Sequence, residues 1–149
     1  MTEVIRIENY NNYEKKIIDN TLVLTPKKRN VTEDELKKIN LTSSKIKQCI
    51  VKKESENITN KTNYKKILVD IWKTMKTKNI LQNTTFNYEL ENKHGEKGYV
   101  WCEDIKVSFQ GKDANSTFKE ILKMVKINKM NIYISIELKT GENIYYENN

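Results

Sequence analysis

The C-terminal stretch that decides the fold class reads Asn131-Ile132-Tyr133-Ile134-Ser135-Ile136-Glu137-Leu138-Lys139-Thr140-Gly141-Glu142-Asn143-Ile144-Tyr145-Tyr146. Aliphatic residues from Ile132 to Leu138 occupy every second position, which is the period of a strand with one buried face. Residues 139–142 have the composition of a turn, and residues 144–146 resume an apolar strand pattern. The stretch therefore predicts an antiparallel β-hairpin.

Further strands and one helix are predicted upstream of this hairpin. Residues 86–90 and 99–102 alternate as two strands joined by a glycine-containing turn, and residues 105–109 alternate again. An amphipathic helix is predicted over 114–127, where the apolar spacing is that of one buried helix face. The predicted fold class is α+β, with an antiparallel sheet formed mainly by residues 84–146, as two hairpins and a strand, packed against this helix.

The N-terminal half has a mixed pattern of helices and short strands. The segments predicted there are strands at 4–7, 21–25 and 45–51, a helix within 10–17, a short helix opened by the capping box Thr32-Glu33-Asp34-Glu35, and a helix over 63–77. Residues 52–63 contain a single apolar residue and predict an exposed loop. We interpret residues 1–149 as one domain, and keep open a division into a helix-rich half, 1–82, and a half of antiparallel sheet plus helix, 83–149.

The composition indicates an intracellular protein encoded by an A/T-rich genome, such as that of a large DNA virus. The chain has 25 lysines, 19 asparagines and 18 isoleucines, residue types with A/T-rich codons. It has neither an apolar signal segment at the N-terminus nor an apolar run of the ~18 residues that a membrane span needs. Cys49 and Cys102 are expected to be free thiols in a reducing compartment. Thr25-Pro26-Lys27-Lys28-Arg29 resembles both a nuclear-import cluster and a proline-directed phosphorylation site. We expect an intracellular location, in the cytoplasm, the nucleus or a virion.

Positive charge is concentrated in one short segment. Residues 61–82 carry six lysines and one aspartate, and so hold +5 of the formal charge of +7. On a helical wheel, four of these lysines lie within about 100° of one another, opposite the apolar stripe of the helix predicted over 63–77. This first lysine ridge consists of Lys65, Lys66, Lys73 and Lys76. A ridge of this kind can lie against a phosphate backbone, so the leading hypothesis is a non-enzymatic protein that binds nucleic acid or another anionic macromolecule.

A second lysine ridge is predicted on the helix over 114–127. It consists of Lys119, Lys123 and Lys126, which lie within about 60° on the wheel. The two ridges would form one footprint only if they share a side of the molecule. If they point apart, a protein-interaction or structural role, as an adaptor, a virion component or a homo-oligomer, becomes the better interpretation.

A Mg²⁺-dependent nuclease is the third hypothesis. The strand sequence Ile136-Glu137-Leu138-Lys139 resembles the metal-binding strand of the PD-(D/E)xK nucleases. The resemblance implies that Glu137 would hold a divalent cation and that Lys139, on the same strand face, would stabilise charge or position water. That fold also requires a second carboxylate, for which Asp104 or Asp113 would have to serve.

Other chemistry finds little support in the sequence. A zinc site could draw only on Cys49, Cys102 and His94, which lack the usual ligand spacing. The single histidine leaves no catalytic triad, and Gly111-Lys112 is followed by aspartate, so it does not form a phosphate-binding loop. We therefore predict no resident metal, cofactor or small-molecule ligand.

Overall fold

The computed structural model of the chain describes residues 13–26 and 28–148, and it confirms the α+β class. The strands in this part of the chain are β1 (Tyr13–Ile18), β2 (Thr21–Pro26), β3 (Lys28–Asn30), β4 (Lys45–Lys53), β5 (Glu56–Thr59), β6 (Tyr88–Glu89), β7 (Tyr99–Cys102), β8 (Val107–Gln110), β9 (Asn131–Glu137) and β10 (Asn143–Glu147). The helices are α1 (Glu33–Lys38), α2 (Tyr64–Lys73), α3 (Thr77–Asn83) and α4 (Ala114–Ile127).

The largest sheet has five strands in the order β3-β10-β9-β4-β5. β9 and β10 form the predicted C-terminal hairpin, in which Ile136 pairs with Ile144. The other edge of β9 pairs antiparallel with β4, whereas β3 joins β10 in parallel. β9 buries Ile132, Ile134 and Ile136, and burial of each such side chain contributes ~1.5–3 kcal/mol. This strand is therefore the centre of the sheet both in position and in packing.

Strands from both halves of the chain build this sheet, which corrects the prediction that the sheet comes mainly from residues 84–146. β3, β4 and β5 all precede residue 84, while β6, β7 and β8 form a separate three-stranded sheet in the order β6-β8-β7. The predicted hairpin between segments 86–90 and 99–102 is wrong, because each of them pairs with β8 instead. The alternation of apolar and polar residues identifies a strand. Which strand it pairs with depends on long-range packing, about which local periodicity carries no information.

Helices α1 and α4 agree with the sequence prediction. Thr32 caps α1 in the predicted capping box, in which its hydroxyl accepts a hydrogen bond from the Glu35 amide and the Glu35 carboxylate accepts one from the Thr32 amide. α4 spans Ala114–Ile127 as predicted, and the Asp113 carboxylate caps it by accepting a 2.7 Å hydrogen bond from the Ser116 amide.

The helix predicted over 63–77 is divided in two. α2 ends at Lys73, since the hydroxyl and the amide of Thr74 both donate hydrogen bonds to the Ile71 carbonyl and close the last turn. Lys76 then adopts extended backbone and forms the N-cap of α3. The prediction that Lys76 belongs to the lysine ridge of this helix is therefore wrong.

The helix predicted within 10–17 is also wrong, because Tyr13–Ile18 is a strand. It pairs with β2 through a two-residue turn at Asp19 and Asn20, whose φ angles are 50° and 62°. Asp and Asn tolerate this left-handed conformation better than most residues and suit a tight hairpin turn. The strand predicted at 21–25 is present as β2, and the one predicted at 4–7 lies outside the described residues.

The segment 52–63 is predicted as an exposed loop, but residues 52–59 form part of a hairpin, and only residues 60–63 are an exposed loop. β4 continues to Lys53, the chain turns at Glu54 with a φ of 57°, and β5 pairs back onto β4. β5 is an edge strand in which Glu56 and Asn57 are exposed and only Thr59 is buried. It therefore lacks the apolar alternation by which a half-buried strand is recognised in a sequence.

The main core is one cluster of buried side chains that connects both larger sheets with α1, α2, α3 and α4. α2 and α4 meet through an edge-to-face contact between Tyr64 and Phe118, with ring centroids 5.8 Å apart. None of the helices in the described residues is long and apolar enough to cross a membrane.

Candidate functional site

Helix α2 holds the first lysine ridge against the body of the protein. Asn63 caps the helix by accepting a 3.1 Å hydrogen bond from the Lys66 amide. The apolar stripe is buried, as the sequence predicts, through Ile67, Leu68, Ile71 and Trp72. Because the stripe is fixed against the core, Lys65, Lys66 and Lys73 are held on the exposed side.

A groove of about 700 Å³ runs between α2 and the three-stranded sheet. Its floor is apolar and consists mainly of Leu68, Trp72, Phe86, Cys102 and Phe109, all of which are buried. Four lysines line it together with a single aspartate: Lys61, Lys65, Lys66, Lys73 and Asp70. The groove therefore combines an apolar floor with a rim of net positive charge.

Three aromatic rings form the bottom of the groove. Trp72 stacks on Phe109 with centroids 4.0 Å apart, and Phe86 meets Trp72 edge-to-face at 5.5 Å. The Lys112 ammonium lies 5.1 Å from the centroid of the Phe86 ring and donates a 2.8 Å hydrogen bond to the Thr85 carbonyl. The indole Nε1 of Trp72 is buried and has no hydrogen-bond partner among the described residues. An unsatisfied buried donor costs ~1–3 kcal/mol.

Two of the rim lysines are neutralised by carboxylates. Lys61 lies 3.1 Å from Asp70, and Lys73 lies 3.0 Å from Asp104. The hydrogen bond and the charge of Asp104 raise the pKa of Lys73. These two lysines are therefore held in place by partners of the same chain.

The other two rim lysines are free of such partners. Neither Lys65 nor Lys66 forms an ion pair or a side-chain hydrogen bond with any residue that the structure describes. The Lys65 side chain extends to Gly111, which also lines the groove. Its ammonium nitrogen lies 3.1 Å from the position that a Cβ atom on Gly111 would occupy. An anion that approaches the rim meets these two ammonium groups without first breaking an ion pair.

A buried carboxylate of α4 positions the segment that carries Phe86. Glu120 is only 2% exposed, and its carboxylate accepts hydrogen bonds from the Thr84 hydroxyl and from the amide and hydroxyl of Thr85. Sequence reasoning missed this role, because Thr84 and Thr85 lie 36 and 35 positions away from Glu120 in the sequence. The available signal was its place beside Ile121, on the buried side of the helix.

The second lysine ridge does not line this groove. Lys119 lies at a separate hollow beside α1, and Lys126 lies at another beside β10. Lys123 donates a hydrogen bond to the Asn83 carbonyl at the end of α3. All three lysines are exposed, but none of them lines the groove beside Lys65 and Lys66, so the two predicted ridges do not meet there.

The residues of the nuclease hypothesis are not brought together. Glu137 lies 3.5 Å from Lys47, whereas Lys139 follows the end of β9 in a turn, so the predicted common strand face is wrong. Asp104 is paired with Lys73, and Asp113 caps α4. Among the described residues no three His, Cys, Asp or Glu side chains are grouped so that they could hold a metal ion.

Both cysteines are free, as predicted, and both are buried. Burial raises the pKa of the Cys49 thiol to about 12. Burial also raises the pKa of Cys102, although the nearby charge of Lys73 opposes this shift. Because both thiols stay protonated near neutral pH, neither is an activated nucleophile.

His94 lies in the predicted turn, where its Nδ1 accepts a 3.2 Å hydrogen bond from the Trp101 amide.

Comparisons of the chain with protein-family models, with curated proteins and with solved structures find no significant match.

Proposed function

We propose that the protein is a non-enzymatic, intracellular nucleic-acid-binding protein, in which Lys65 and Lys66 contact the phosphate backbone. The observation that carries the proposal is that these two exposed lysines are unpaired and that both of them line the groove. Lys61 and Lys73 extend the positive rim, although each of them already has a carboxylate partner.

The position of the two lysines on α2 supports a functional role. Both lie in the first turn of the helix, which contains no acidic residue. The N-terminus of a helix carries partial positive charge, so acidic residues stabilise it and lysines do not. α1 follows the usual rule, with Glu33, Asp34 and Glu35 in its first turn. Two unpaired lysines at an electropositive helix terminus lower stability slightly, and they attract an anion through the lysine charges and the helix dipole together.

Charge reversal at the rim tests this proposal. Lys65→Glu combined with Lys66→Glu is expected to abolish binding of a labelled oligonucleotide in fluorescence anisotropy. The same change places acids in the first turn of α2, which favours the helix, so loss of binding cannot be attributed to unfolding. The matched control is Lys52→Glu combined with Lys139→Glu, which changes the net charge equally at two exposed lysines outside the groove.

The proposal predicts that the control binds like the wild-type protein. Equal loss of affinity in both double variants would mean that only total charge matters, and unchanged affinity in the first would exclude the groove rim as the binding surface.

A protein-interaction or structural role is the second candidate, and it is favoured by the finding that the second lysine ridge does not line the groove beside Lys65 and Lys66. The β1-β2 hairpin forms a sheet of its own and exposes Ile17, Ile18, Leu22 and Val23. An isolated two-stranded hairpin is marginally stable in water, and exposed apolar side chains favour a protein partner. Ile17 and Leu22 are paired across the two strands.

Light scattering across a concentration series tests self-association through this hairpin. The second candidate predicts an oligomer that Ile17→Thr combined with Leu22→Thr dissociates. A monomer at all concentrations would contradict a role as a homo-oligomer.

A further inference from the structure

We propose that the groove beside α2 accepts an unpaired base, so that the preferred ligand is single-stranded nucleic acid. This inference rests on the proposed function and specifies its substrate class. The rim lysines contact the phosphates, while the base enters the apolar groove between α2 and the three-stranded sheet.

The arrangement of charge and apolar surface supports this choice. The lysines line the mouth of a groove whose floor is formed by Leu68, Phe109 and other buried apolar side chains. A duplex presents phosphates outside and keeps its bases stacked and paired, so it has nothing to place against an apolar floor. A single strand presents both chemistries within one nucleotide, since a positively charged groove follows its backbone and apolar or aromatic side chains receive its bases.

The size of the groove agrees with such a ligand. Its volume of about 700 Å³ lies within the ~300–1,000 Å³ that is usual for pockets that enclose small organic molecules. Val100 lies on the wall formed by β7 and is 43% exposed, so an apolar contact surface remains open to a ligand.

The unpartnered indole of Trp72 is a second, independent observation. Trp72 lines the groove and is 2% exposed, yet its Nε1 has no acceptor among the described residues. The carbonyl and ring-nitrogen atoms of a base supply hydrogen-bond acceptors, which a hydrocarbon chain lacks. A base is therefore a ligand that brings the kind of acceptor that Trp72 lacks.

The test compares three probes at one salt concentration: a short oligothymidylate, its duplex with oligoadenylate, and an abasic strand of the same length and charge. Wild-type protein is expected to bind the oligothymidylate about tenfold or more tightly than either of the other two. A poly-glutamate peptide of equal charge is expected not to displace it.

Two matched variants locate the effect. Val100→Trp fills the groove from an exposed wall position and is expected to remove the preference for the oligothymidylate, while salt-dependent binding through the lysines persists. Ile127→Trp is the control, because Ile127 is 42% exposed and lies at the end of α4, outside the groove. This control is expected to keep the preference.

The outcomes separate this inference from the proposed function. Equal, lysine-dependent binding of all three probes would overturn the base-binding inference and leave phosphate binding intact. Displacement by poly-glutamate at similar concentration would also overturn it, because the groove would then recognise charge alone. No binding of any probe would overturn both.

Discussion

The indole of Trp72 stacks on the ring of Phe109, with centroids 4.0 Å apart and planes inclined by 26°. This contact joins α2 to the middle strand of the three-stranded sheet and forms the bottom of the groove. Stacked aromatic pairs add ~0.5–1.5 kcal/mol beyond the burial of their area. The relative position of the rim lysines and the apolar floor depends on this pair, since Lys65 and Lys66 lie on the helix that it anchors.

Phe109→Ala is expected to lower the free energy of unfolding by ~3–5 kcal/mol, because it removes a buried ring and leaves a cavity beneath Trp72. Urea denaturation measures this change. Tyr88→Ala is the control, since Tyr88 pairs with Phe109 across the β6-β8 ladder but is exposed. It is expected to cost less than ~1 kcal/mol. Similar losses in the two variants would contradict the role of Phe109 as the anchor of α2.

Glu120→Gln is expected to destabilise the protein by ~1–3 kcal/mol. The carboxylate of Glu120 only accepts hydrogen bonds, and the Thr85 amide donates to both of its oxygens. A glutamine in either orientation therefore brings its NH₂ group, which is a donor, against this amide donor. Urea denaturation of this variant and of Glu89→Gln, at an exposed position on β6, gives the comparison. If both variants unfold at the same urea concentration, Glu120 does not hold the segment that carries Phe86.

The cap of α4 is expected to weaken in acid. The hydrogen bond from Ser116 lowers the pKa of Asp113 below its ordinary value, which is ~3.9 in an unfolded chain. A carboxylate with a lowered folded-state pKa stabilises the fold fully above its unfolded pKa, and this stabilisation is lost as the pH falls through the folded-state pKa.

Asp113→Asn keeps a capping oxygen and does not titrate. The stability advantage of the wild-type protein over this variant should therefore shrink between about pH 5 and about pH 3. Urea denaturation at a series of pH values checks this, and a constant or growing difference would contradict the assignment.

The lysines of α4 are expected to contribute little to binding at the groove. Lys119→Glu combined with Lys126→Glu should change oligonucleotide affinity no more than the Lys52 and Lys139 control pair, since these lysines line other hollows. Anisotropy titration measures the difference. A loss as large as that from reversing Lys65 and Lys66 would mean that both ridges contact one ligand.

The sequence predicts those elements whose signals are local. The alternation of Ile132 to Leu138 identifies β9, the spacing of Tyr64 to Trp72 identifies α2, and Asp113 and Thr32 mark helix starts. Each of these signals depends on side-chain period or on a cap within a few residues.

The remaining features depend on contacts that are distant in the sequence. The hydrogen bonds of Glu120 to Thr85 and the stacking of Trp72 on Phe109 both join residues more than thirty positions apart. The lysine ridge was predictable as a charge cluster. The sequence did not predict that Lys73 has a carboxylate partner while Lys65 has none, because the partner of Lys73 is Asp104, which lies in the loop between β7 and β8.

The salt dependence of oligonucleotide binding tests the central claim most directly. Single-strand affinity falls with rising salt with a slope, on logarithmic axes, of about −0.7 for each phosphate contact. Titrations between about 50 and about 200 mM salt should therefore give a slope about 1.4 shallower for Lys65→Gln combined with Lys66→Gln than for the wild-type protein. An unchanged slope and affinity in this variant would contradict phosphate binding by the α2 lysines.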